Sequence, residues 1–147
     1  MIKKIKFYFI LIITVFAFNN VLASQSNYFS KGKSLFDNKN FEKSKFFFEK
    51  DIVFNPRSEN SYLYLAKIFK ENKNDIEEEK NLDTVLLLNP KNEEAVYLLT
   101  LLKIKQSDYN VAKDLIKRFD SVCNTFCDKK NEIQNKFDKL IPKNEKN

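Results

Sequence analysis

The chain has 147 residues, of which one is glycine, three are proline, two are cysteine and none is histidine, with a formal charge of +6. So little glycine and proline leaves hardly any punctuation for a hairpin-rich sheet protein, and helices are favoured before any pattern is read. The missing histidine removes the commonest general acid or base near neutral pH, and a single glycine excludes a glycine-rich phosphate loop.

The first element is an export signal. Lys3, Lys4 and Lys6 precede a 12-residue apolar run from Phe7 to Phe18, and Val21-Leu22-Ala23 offers apolar and small side chains before Ser24. A basic start, an apolar run of about 7–15 residues and a small residue at the end describe a secretory signal peptide. The run is short of the roughly 20 residues that span a bilayer. Cleavage after Ala23 is therefore expected, with residues 1–23 kept as a membrane anchor as the alternative. No cysteine lies near that site, so a lipid-anchored mature end is not expected. Cleavage removes three lysines, which lowers the charge from +6 to +3 and leaves 124 residues, enough for one domain with a modest core. That mild positive bias gives no reason to expect a nucleic-acid partner.

Beyond residue 24 the clearest signal is internal repetition. Asn55-Pro56-Arg57-Ser58-Glu59 returns 34 residues later as Asn89-Pro90-Lys91-Asn92-Glu93, preceded by Ile52-Val53-Phe54 and Leu86-Leu87-Leu88 and followed by Leu65 and Leu99. Tyr62, Leu65, Ala66 and Phe69 keep the three-and-four spacing of one helix face. Ser58, Asn74, Asn92 and Ser107 stand where helix N-caps are expected, and Glu59, Asp75, Glu93 and Asp108 where a first turn favours negative charge.

A 34-residue period with these residues resembles the tetratricopeptide repeat (TPR) family. The resemblance sets repeats at 25–58, 59–92 and 93–126. Repeat one carries Tyr28, Gly32 and Leu35, then Phe41, Ser44 and Phe48, with Lys31 where leucine is usual. Repeat two carries Tyr62, Leu65, Ala66 and Phe69, then Leu82 and Val85, with Glu78 in place of a small residue, which is expected to loosen the helix contact. Repeat three carries Val96, Leu99 and Thr100, then Tyr109, Ala112, Ile116 and Phe119, and Asn124 replaces its closing proline. Ile133, Phe137, Leu140 and Ile141 form an apolar stripe suited to a capping helix over 127–141, and 142–147 is expected to be a disordered tail. The fold implied is all-α: a short right-handed superhelix, or α-solenoid, of three helix hairpins and a cap.

Two clusters carry possible chemistry. Asp75, Glu77, Glu78 and Glu79 are expected to form a solvated first turn, because successive helical residues point apart and do not converge on one cation. Cys123 and Cys127 lack the further ligands a structural zinc site needs. In an oxidising compartment a disulfide is expected of them, the alternative being two free thiols.

The resemblance also implies that ligands lie on the first helix of each repeat. Those positions are Phe29, Lys33 and Phe36, then Leu63, Tyr64, Lys67 and Lys70, then Tyr97, Leu101, Ile104 and Lys105. Aromatic anchors among lysines suit an apolar, partly acidic protein or peptide. The alternative is that this stripe packs against neighbouring helices. One version of the groove grips a C-terminal carboxylate with lysine and asparagine. Its places here hold Phe29, Lys33, Tyr64, Glu94 and Leu98, of which only Lys33 fits. The expected function is that of a non-enzymatic periplasmic scaffold or adaptor, without cofactor or metal, in cell-envelope assembly. The alternative is a signal-anchored inner-membrane subunit that touches the membrane through residues 1–23.

Overall fold

A computed structural model describes residues 27–140, and within them the secondary structure is helical throughout. The expected signal peptide and tail lie outside the described residues. Helix α1 runs over 27–37, followed by α2 (Phe41–Phe54), α3 (Glu59–Glu71), α4 (Asp75–Leu88), α5 (Glu93–Lys105), α6 (Tyr109–Val122), a single 3-10 turn (Cys127–Lys129) and α7 (Lys130–Leu140).

The 34-residue period reappears in the backbone. Lys39, Lys73 and Ser107 adopt φ of 58°, 56° and 61°, the left-handed conformation that ends a helix. Immediately after each, a backbone N–H reaches back six residues: Asn40 to Leu35 O, Asn74 to Phe69 O and Asp108 to Lys103 O, each at 2.9 Å. The same residues cap the next helix, with Asn40, Asn74 and Asp108 side chains accepting from the N–H of Lys43, Glu77 and Val111. Asn92 caps α5 as expected, accepting from Ala95 N–H at 2.9 Å. The expected caps Ser107 and Ser58 differ. Ser107 is the left-handed residue and Asp108 the cap, because a left-handed turn must intervene before α6 starts. The Ser58 hydroxyl donates to Ser61 Oγ at 3.0 Å, drawn into a buried polar chain.

The chain divides into two compact units, residues up to Ser61 and residues from Tyr62 onward. In the first unit, Phe48 is fully buried beside Gly32 and Ser44. A Cβ on Gly32 would lie 2.8 Å from the Phe48 ring, so the only glycine is needed for close helix approach. The Ser61 hydroxyl donates to buried Asp51 at 2.6 Å, satisfying a carboxylate that would otherwise be costly inside. On the outer side, Tyr28 stacks on Phe54 at 5.4 Å and on Phe47 at 6.4 Å, and Lys50 lies over the rings of Phe46 and Tyr28.

In the second unit one core runs from Leu63 and Ala66 through Leu82, Val85, Val96, Leu99, Leu102, Ala112 and Phe119 to Ile133 and Phe137. Helix α5 is apolar on most of its circumference because it packs on α4, α6 and α7. Each buried leucine or phenylalanine of this core contributes about 1.5–3 kcal/mol. Ile133 and Phe137 anchor α7 as the cap. Cys123 and Cys127 are joined in a disulfide, with Cα atoms 5.2 Å apart, in the turn that leads to it.

Candidate functional site

The ends of three helices frame a concavity in the second unit. Its floor is made by Leu101, Leu102 and Ile104 at the end of α5, with Glu78 entering from α4. Its rim carries Lys70 of α3, Lys105 of α5, and Lys136 and Lys139 of α7. Lys70, Lys105 and Lys139 belong to last turns, where the exposed carbonyls of a helix favour positive charge. The cavity measures about 530 Å³, within the range of sites that hold a small molecule or a few side chains.

Two rim lysines are paired and two are not. Lys105 reaches Asp75 at 2.6 Å and Lys136 reaches Glu132 at 3.0 Å. Lys70 and Lys139 form no ion pair among the described residues. Nearby, Lys103 bonds Glu79 at 2.6 Å, and this bond is the main reason the Glu79 carboxyl lies below its ordinary range. The acidic turn is thus not simply solvated. Asp75 and Glu79 are held by lysines of α5, and Glu78 is 4 % exposed. Burial pushes the Glu78 carboxyl up, Lys70 pulls it down, Asp75 raises it and Lys105 lowers it. Among the described residues no group of His, Cys, Asp and Glu is placed to hold a metal.

The expected binding stripe is partly groove and partly core. Lys70, Leu101, Ile104 and Lys105 line the cavity together. Leu63 does not: it is 5 % exposed and belongs to the core. Tyr97 is held by packing, its ring against Phe119 and Phe126 and its hydroxyl donating to Glu132 at 3.0 Å. Burial first, and then this bond to a carboxylate, pushes the phenol up to about 12. Tyr64 lies under Lys67, whose ammonium is 4.7 Å from the ring and pairs with Glu94 at 2.7 Å. In the first unit Phe29 packs on Phe48, Phe36 on Phe41, and Lys33 pairs with Asp37. Sequence reasoning missed Lys136 and Lys139, which neighbour the capping stripe, and read Glu78 as solvated.

The sequence matches no protein-family model and no curated protein. Solved structures are similar. The first TPR of Spaghetti (RPAP3), bound to the HSP90 peptide SRMEEVD, superposes with a TM-score of 0.71 at 15% identity, covering 79% of this chain and 92% of that one. The fold is that of the tetratricopeptide repeat. The Sgt2 TPR domain from Aspergillus fumigatus gives 0.67 at 13% identity, covering 79% and 80%, and a chain of the CopN-Scc3 complex gives 0.66 at 14%, covering 76% and 67%. In TPR terms, Ser44, Glu78 and Ala112 occupy one recurring position on the second helix of each repeat, 34 residues apart. Two of them are small and buried, and the third is a buried acid.

Proposed function

We propose that this chain is a non-catalytic TPR adaptor that holds an apolar, acidic segment of a partner protein in the groove between the ends of α3, α5 and α7. The observation that carries it is the rim of four lysines around an apolar floor. Carboxylates of the partner meet Lys70 and Lys139, and an apolar side chain covers Leu101 and Ile104. Charge at the rim speeds and orients the encounter, while the apolar floor supplies the lasting contact. Similar folds solved with an HSP90 peptide and in the CopN-Scc3 complex support a protein or peptide partner. The setting we propose is the periplasm, reached by the signal of residues 1–23, during cell-envelope assembly.

Crosslinking in the native cell, followed by mass spectrometry, tests the groove. Wild type should capture a partner that the double variant Lys70→Glu, Lys139→Glu loses while keeping its helical spectrum. Equal capture by both would move the site elsewhere. Fractionation with N-terminal sequencing tests the setting, which requires a soluble periplasmic protein beginning at Ser24.

A second reading, a signal-anchored membrane subunit, is favoured by the outer face of α2. There Phe46, Val53 and Phe54 are more than half exposed. Apolar surface of that kind marks interaction sites. Recovery of the full-length chain in membranes only would select this reading.

A further inference from the structure

The position shared by Ser44, Glu78 and Ala112 is where the two helices of each hairpin come closest. Repeats one and three fill it with small side chains, both fully buried. Repeat two places a carboxylate there. Glu78 is 4 % exposed, lines the groove, and accepts no hydrogen bond among the described residues. Asp51, the other buried acid, is held by Ser61, so this chain can satisfy a buried carboxylate internally where none is needed outside. A buried acceptor left without a donor costs stability that alanine would not.

From this we infer that Glu78 is the specificity-determining residue of the groove, accepting a hydrogen bond from a neutral N–H or O–H donor of the bound segment. The inference rests on the groove reading above and names what that segment carries. An apolar side chain lies on Leu101 and Ile104, one or more carboxylates meet the lysine rim, and between them stands a hydroxyl, amide, indole or backbone N–H donor. A cationic donor does not fit, because Lys70 and Lys105 already act on Glu78 and two further lysines stand at the rim. A wholly apolar segment does not fit either, since it would seal the carboxylate without a partner. Discrimination of this kind is steep, because the wrong ligand leaves a buried charge unbonded.

A phage-displayed library of random dodecapeptides, selected on the full-length chain in detergent micelles, supplies the probes. The recovered peptides should join acidic residues to an apolar residue and a neutral donor at fixed spacing. Their synthetic versions should bind Glu78→Ala at least tenfold more weakly than wild type. Glu78→Gln, which keeps an acceptor oxygen, should recover part of the loss. The Glu78→Ala variant should unfold at an equal or higher temperature than wild type, as the buried Ala112 of repeat three leads one to expect. Peptides that bind wild type and Glu78→Ala equally, yet are lost on Lys70→Glu, Lys139→Glu, would overturn the role of Glu78 and leave the groove standing. Peptides insensitive to all these changes, or no enrichment at all, would overturn both.

Discussion

The Ser44 hydroxyl donates to the Gly32 carbonyl oxygen at 2.8 Å, tying α1 to α2 at the point where both present their smallest buried side chains. The contact exists because Gly32 has no Cβ and Phe48 fills the space one would occupy. Gly32→Ala should therefore destabilise the first unit by about 1–2 kcal/mol, overpacking winning over the better helix propensity of alanine. Thermal unfolding measures it. An unchanged or higher melting temperature would mean that the Phe48 ring yields freely.

The three left-handed helix ends are all built without glycine. Lys73, at φ 56°, holds a conformation that strains any residue with a Cβ. Lys73→Gly should raise stability by about 0.5–1 kcal/mol, the relief of strain exceeding the added flexibility of the unfolded chain. Urea unfolding with an unchanged slope is the check, and a loss of stability would show that the lysine side chain itself matters.

Glu93 opens α5, and its carboxylate also accepts from the backbone N–H groups of Asn124, Thr125 and Phe126 and from the Thr125 hydroxyl. The Asn124 N–H bond is the largest influence, and together these donors hold the carboxyl near 2 against an ordinary 4.5. A depressed folded-state value means stability fully present above about pH 4.5 and lost as the pH falls toward 2. Glu93→Gln should thus be less stable than wild type at neutral pH, with the gap closing across that acid window. A gap that stays constant from pH 7 to pH 2 would refute the linkage.

Cys123 and Cys127 close a loop only four residues apart in sequence. Thiol titration without reductant should find both blocked. Reduction should lower stability by about 2 kcal/mol at most, because so short a loop restricts the unfolded chain little. Two titratable thiols in protein taken from its own compartment would remove the bridge.

Much of the architecture was legible from residues alone. Local signals repeated at 34 residues settle where helices begin and end: the Asn-Pro turns, the first-turn acids and the three-and-four apolar stripes depend on neighbours in sequence. Asn38-Lys39-Asn40 and Asn72-Lys73-Asn74 repeat the same turn, and a left-handed Schellman end is visible there once the period is known. Ser107 was misread as a cap because serine suits either place, and only the chain path decides between it and Asp108.

What the sequence by itself determined is the helical class, the period and the inward faces, since these follow from spacing along one helix. What only the tertiary structure decided is which outward residues remain open to a partner. Leu63 and Tyr97 share the spacing of Leu101 and Ile104, yet the first is covered by the core and the second by Phe119, Phe126 and Glu132. Glu78 reads as an ordinary first-turn acid until α3 and α5 close over it. Burial and charge pairing arise between helices far apart in sequence, so the groove, its lysine rim and its buried acid belong to the packing.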